Sequence, residues 1–171
     1  TYNGNSEIVI LDPLGNFLSR ITNNNWIDSS SVWSNDGSKI YFISNKTGIP
    51  QIYAKDLNTD KAEQITFDTK MKDSISFSPT KNEIIFTALI DNKWNICKMD
   101  LNTKQIFQLT QNEGNNENPS YSPDGKFISF TSTRTGKREL FIMDTNAKNV
   151  RKVTNLQNNI SFAKWSPYYE D

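Results

Sequence analysis

Short apolar runs cut by polar turns fill the whole 171-residue chain. The stretch from Pro119 to Thr154 shows the pattern most clearly. Pro119-Ser120-Tyr121-Ser122 reads as a short strand, and Pro123-Asp124-Gly125-Lys126 as a turn with Pro and Gly where tight turns want them. Phe127–Ser132 and Glu139–Asp144 read as two further strands, separated by the loop Arg134-Thr135-Gly136-Lys137. After a turn at Thr145–Lys148, Val150–Thr154 reads as a fourth. No ten-residue window keeps the i, i+3, i+4, i+7 spacing of an amphipathic helix without a Gly, Pro or Asn cluster breaking it. The pattern predicts an all-β chain.

The four-strand unit repeats. Ser34, Ser78, Ser122 and Ser166 lie 44 residues apart. Each follows an aromatic (Trp33, Phe77, Tyr121, Trp165), and three precede a proline (Pro79, Pro123, Pro167). Phe42, Phe86 and Phe130 keep the same spacing, as do Asp12, Asp56, Asp100 and Asp144, and Thr22, Thr66, Thr110 and Thr154. A period of this length fits both a four-stranded propeller blade and a two-helix unit of the HEAT type, and the strand pattern selects the blade. The expected fold is a β-propeller region over residues 1–171, with about four blades of four antiparallel strands. Residues 1–22 supply the third and fourth strands of one blade. Residues 23–66, 67–110 and 111–154 are full repeats, and 155–171 supply a closing first strand. That assignment lacks one second strand, which an antiparallel meander cannot bypass, because first and third strands run parallel. The expectation is a C-terminal piece of a larger propeller, with the missing second strand and about two more blades preceding Thr1. The aromatic column is expected to fill the space between blades. An open piece also exposes blade faces and edges, which invites self-association.

Composition narrows the chemistry. The 22 asparagines, with many Ser and Thr, suit turns and strands rather than helices. The absence of histidine excludes Ser-His-Asp and Cys-His catalysis and any imidazole-based zinc site. A single cysteine, Cys97, excludes an internal disulfide and reads as a buried thiol within a strand. Nineteen basic and nineteen acidic residues give zero net charge, which argues against capture of nucleic acid or of an anionic membrane surface. The longest aliphatic run, Ile8–Leu11, is far short of a membrane-crossing helix. The repeated aspartates are expected to cap the turns that follow the third strands. No catalytic, cofactor or metal constellation emerges.

Function in such a scaffold is carried by loops at one end. Here these are the fourth-to-first-strand connections 23–28, 68–72, 111–117 and 155–159, with the second-to-third-strand loops 47–50 and 91–93. At the channel mouth this places Asp28, Ser29, Lys72, Asp73, Asn116 and Glu117, a polar set of mixed sign suited to a protein partner. Trp26 is the aromatic in these loops and a candidate interface anchor.

The unit Tyr121-Ser-Pro-Asp-Gly-Lys126, the Phe127–Ser132 strand, the Leu140-Phe-Ile-Met-Asp144 strand and the closing Val153-Thr154 resemble the repeat of the TolB family, as does Trp33–Thr66. The ending Ala163-Lys164-Trp165-Ser166-Pro167-Tyr168 is similar to the family's Ala-x-Trp-Ser-Pro-Tyr type. Asn35 in place of Pro, Thr80-Lys81-Asn82 in place of Asp-Gly-Lys and the absence of a Gly-His…Trp-Asp signature are departures, the last of which argues against a WD40 protein. The resemblance implies a periplasmic, non-enzymatic propeller of six blades beside a separate α/β domain. It implies as partner the peptidoglycan-associated lipoprotein Pal, in the Tol–Pal system that supports outer-membrane integrity, cell division and protein transport. The alternatives are the propeller of another TolB-like envelope protein, or that of an enzyme such as a prolyl-oligopeptidase-like hydrolase.

Overall fold

The computed structural model describes residues 5–155 and 158–167. Residues 1–4, 156–157 and 168–171 lie outside the described residues, and with them parts of the segments 1–22 and 155–171, of the 155–159 loop, and Tyr168 of the Trp-Ser-Pro-Tyr motif. Among the described residues all regular structure is β. Strands pair into one two-stranded and three four-stranded antiparallel sheets, each in simple chain order, which is the blade topology of a propeller. The chain divides into two compact units between Lys72 and Asp73.

The first unit holds the hairpin β1 (Val9–Leu11) and β2 (Phe17–Arg20). It also holds the sheet of β3 (Asp28–Trp33), β4 (Lys39–Ser44), β5 (Gln51–Asp56) and β6 (Ala62–Gln64). Ile8 and Ile21 bury against Ile40, Phe42 and Tyr53, so one apolar core joins hairpin and sheet. The Phe42 and Tyr53 rings stack at 5.9 Å.

The second unit holds β7 (Lys72–Phe77, its first residue belonging to the first unit), β8 (Glu83–Ile90), β9 (Lys93–Asp100) and β10 (Ile106–Gln108). The second sheet of this unit is β11 (Asn116–Tyr121), β12 (Phe127–Ser132), β13 (Glu139–Asp144) and β14 (Arg151–Lys152). Ile85 and Ile96 of one sheet meet Tyr121, Ile128, Phe130, Phe141 and Met143 of the other in a continuous core. Burial of this kind is worth about 1.5–3 kcal/mol per large apolar side chain.

Each first strand carries a residue with left-handed backbone. Ser30, Ser74 and Asn118 all sit in the left-handed region, with φ of 51°, 49° and 54°, and the pairing register of β3 and β11 shifts around them. Phe162, one repeat further on, has φ 57°. Two residues before it the register is kept too. Ile160 N–H donates to Arg138 O at 2.9 Å, the bond that Lys72 makes to Pro50 and Asp28 to Ser6. Residues 160–166 therefore follow the course of a first strand without being one. A strand is defined by its ladder, and no described segment pairs with them.

The aromatic column is uneven. Tyr121 is buried, its hydroxyl donating to Glu83 Oε1 at 2.9 Å across the two sheets of its unit. The Trp165 indole N–H donates to Ser120 O at 3.1 Å, and its ring is half-buried. Trp33 is 46% exposed and does not fill a core. The blade before it contributes only β1 and β2 among the described residues, so Trp33 lacks the wall that β8 offers Tyr121.

Candidate functional site

The residues expected at the mouth each lie at the end of a sheet where its first strand begins, and they fall in two classes. Asp28, Lys72 and Asn116 hold equivalent positions, one repeat apart, and all three are buried to within 2%. Their work is internal. Asp28 Oδ2 accepts Asn24 Nδ2 at 2.8 Å, while Asp28 Oδ1 and Gln51 Oε1 have no hydrogen-bond partner among the described residues. Lys72 Nζ donates to Lys70 O at 2.6 Å and pairs with Asp68, which compensates the burial of its charge. Asn116 Oδ1 accepts Arg134 Nη2 at 3.0 Å. Polar residues at strand starts read as surface in the sequence, and here the structure reverses that reading.

The other four are accessible. Trp26 is 42% exposed, its N–H held by Asn24 Oδ1 at 2.7 Å, so a fixed Asx turn presents the ring. Ser29 is half-buried, in register with Ile43. Asp73 is exposed and accepts the Ser74 N–H at 2.8 Å. Glu117 is half-buried and pairs with Arg138 at 2.6 Å. Trp26 and Ser29 belong to the first unit; Asp73 and Glu117 belong to the second.

Arg134 and Arg138, both in the β12–β13 loop, are charged residues of this end that the sequence reading left out of the candidate site. Arg134 pairs with Glu113 at 2.6 Å and lies over the Phe130 and Phe141 rings. The repeat sets Arg134 apart, since the equivalent positions are Lys46 and Ile90.

The aspartates that end the third strands serve turns at the opposite ends of the strands. Asp12, Asp56 and Asp100 each accept two backbone N–H groups of the following turn. Those bonds hold the three carboxyls below their ordinary range, led by the Asn16 side chain for Asp12 and by the Thr59 and Thr103 N–H groups for the others. Asp144 instead accepts Asn149 Nδ2 at 2.7 Å. Among the described residues no group of three or more acidic or cysteine side chains gathers to hold a metal. Cys97 is buried in β9. No helix among the described residues is long and apolar enough to cross a membrane.

Comparison with known proteins gives a consistent result. Residues 1–169 match the family described as the TolB beta propeller domain. The protein TolB homolog of Chlorobium luteolum is 34% identical over 59 residues, covering 34% of this chain and 14% of that protein. The Tol-Pal system protein TolB of Campylobacter jejuni is 34% identical over 58 residues, covering 33% and 14%. The crystal structure of TolB from Acinetobacter baumannii superposes with a TM-score of 0.79 at 32% identity, covering 88% of this chain and 38% of that one. The chain thus spans well under half the length of these relatives.

Proposed function

The chain belongs to the TolB beta-propeller domain family, and we propose on that basis that it is a non-enzymatic protein-binding scaffold of the periplasm. In this reading its partner is a peptidoglycan-associated lipoprotein of the Pal type, bound at the strand-start end of the blades, and its role is support of the outer membrane and of cell division. The observation that supports it best is the division of labour among the polar residues. The repeated Asp12, Asp56 and Asp100 are committed to turn caps, whereas Trp26, Asp73 and Glu117 are presented on loops and strand starts by hydrogen-bonded backbone. Exposed aromatic and polar groups of this kind are what protein interfaces are built from. The similarity to a Tol-Pal system protein supports the choice of partner.

Isothermal titration of the full-length gene product with the soluble domain of its cognate lipoprotein tests this. Trp26→Ala and Asp73→Ala are expected to weaken binding by more than about fivefold, the loss typical of an interface anchor. Asp60→Ala, in a turn at the opposite end, leaves it unchanged. Absence of binding by the full-length product contradicts the reading.

A further inference from the structure

Arg134 is held in an unusually complete setting. Its guanidinium carbon lies 4.8 Å from the Phe141 ring centroid and 5.4 Å from that of Phe130. Nε donates to Ser132 Oγ and Nη2 to Asn116 Oδ1, each at 3.0 Å. Both acceptors belong to fully buried residues. On the remaining side, Nη1 pairs with Glu113 Oε2 at 2.6 Å. The side chains differ in access, 15% exposed for Arg134 and 56% for Glu113. The cation is thus fixed by buried structure, and its anion comes from an exposed loop.

The backbone brings that loop in. Gly114 has φ +70°, and a Cβ there would stand 2.7 Å from Thr133 Oγ1 and 3.0 Å from Arg134 N. Asn115 N–H donates to Thr133 Oγ1 at 2.9 Å, and Thr133 N–H to Asn115 O at 3.0 Å. The absence of a side chain at Gly114 lets Glu113 reach the guanidinium.

The fold itself does not require the pair. The positions equivalent to Glu113 are Thr69 and Asn25, and those equivalent to Arg134 are Ile90 and Lys46, so the other blades form without it. A guanidinium carries five N–H donors, and the bonds above leave one on each terminal nitrogen. Such a planar, pre-oriented fork matches a carboxylate.

We propose that Arg134 is a carboxylate-recognition point, that Glu113 is its internal placeholder, and that the partner segment engaging this end of the blade carries an exposed Asp or Glu. This rests on the reading that these loops take a protein partner, and it adds the chemistry of that partner. On binding, the incoming carboxylate replaces Glu113 at Nη1, and the exposed glutamate swings to water. The Arg138–Glu117 pair alongside, at 2.6 Å, keeps a second guanidinium at the same edge.

Fluorescence polarisation of the 171-residue chain with fluorescein-labelled tetraglutamate, and with tetraglutamine as uncharged control, tests it. Tetraglutamate binds and tetraglutamine does not. Glu113→Gln tightens binding by about two- to fivefold, the worth of one exposed ion pair. Arg134→Gln abolishes it, with circular dichroism reporting whether that variant folds. Arg134→Lys, which keeps the charge and loses the fork, weakens it severalfold and decides the matter if Arg134→Gln is unfolded. Equal binding of the two peptides, or no response to Glu113→Gln, overturns the proposal. A lipoprotein partner that binds the full-length product indifferently to Glu113→Gln and Arg134→Lys overturns it while leaving the scaffold reading intact. A normal tetraglutamate response with no lipoprotein binding does the reverse.

Discussion

The hydroxyl oxygen of Thr110 accepts the backbone N–H of Ile96 at 2.9 Å. The same bond joins Thr22 to Ile8, Thr66 to Ile52 and Thr154 to Leu140, always across 14 residues and at 2.9–3.0 Å. In each repeat the N–H of the residue before the threonine returns to the same strand residue's carbonyl, as Leu109 does to Ile96 at 2.8 Å. The threonine column is therefore a stitch between the fourth strand and the start of the third, where the short fourth strand would otherwise leave a buried N–H unpaired. Thr110→Val keeps the shape and orphans the Ile96 N–H, so it is expected to lower stability by about 1–3 kcal/mol. Thr110→Ser keeps the acceptor and is expected to cost less. The difference in urea midpoint between the two variants measures the stitch.

Gly125 and Gly37 occupy equivalent turns with the same φ of +68°, yet a Cβ at Gly125 would meet Thr80 Oγ1 at 2.6 Å and Thr80 Cγ2 at 3.2 Å, while one at Gly37 meets nothing within 4 Å. Gly37→Ala bears only the left-handed backbone strain, about 1–2 kcal/mol. Gly125→Ala bears that and a clash that Thr80 rotation does not relieve, since both γ atoms are close. The expected order of thermal midpoints is wild type, then Gly37→Ala, then Gly125→Ala, with Thr80→Ala restoring most of the last difference.

Acid stability should report the turn caps. Asp36 is pulled down to about 2 by the Ser34 hydroxyl first, then by the Ser38 N–H and hydroxyl. A carboxyl whose folded pKa lies below its unfolded value of about 3.9 stabilises the fold above that value, and the contribution is lost as pH falls through the folded pKa. Asp12, Asp56 and Asp100 are lowered in the same direction. The urea midpoint is expected to fall between about pH 4 and pH 2. Asp36→Asn should make that decline shallower without altering its start.

Tyr121 ties the two sheets of the second unit through Glu83. Burial first, and then the Glu83 carboxylate, push the phenol well above its ordinary range. Tyr121→Phe leaves Glu83 buried without this donor and is expected to cost about 1–3 kcal/mol. In a spectrophotometric titration of the folded wild type, Tyr121 should stay protonated through pH values that ionise ordinary phenols, about 10, and Tyr41, raised chiefly by its burial, should also titrate late.

The sequence reading was strong where side chains alternate and weak where the backbone departs from a plain strand. The bounds expected for the second and third strands of the third repeat, 127–132 and 139–144, are those of β12 and β13. The first strand was expected from Pro119 and begins at Asn116, because the left-handed Asn118 breaks the alternation ahead of the proline. The turn role of the aspartates was legible, since a capping carboxylate acts within four residues of itself. The threonine stitch, spanning 14 residues, was visible only as a column without a reason. The burial of Asp28, Lys72 and Asn116 was not visible at all, because a polar residue beside a loop looks solvated until its partners are placed. One exchange becomes readable afterwards. Asn115 and Asn159 accept the N–H groups of Trp94 and Arg138 at 3.0 and 2.9 Å; where the equivalent strand residue is Pro50, with no N–H to give, the asparagine is replaced by Met71.

The most direct test of the scaffold reading is amide hydrogen exchange of the full-length gene product with and without the soluble domain of its cognate lipoprotein. The account predicts new protection concentrated in residues 23–29, 72–73 and 111–117 and in the Arg134–Arg138 loop, with the turns at 34–39, 78–83 and 122–127 unchanged. Protection confined to those turns, or no protection anywhere, would contradict it.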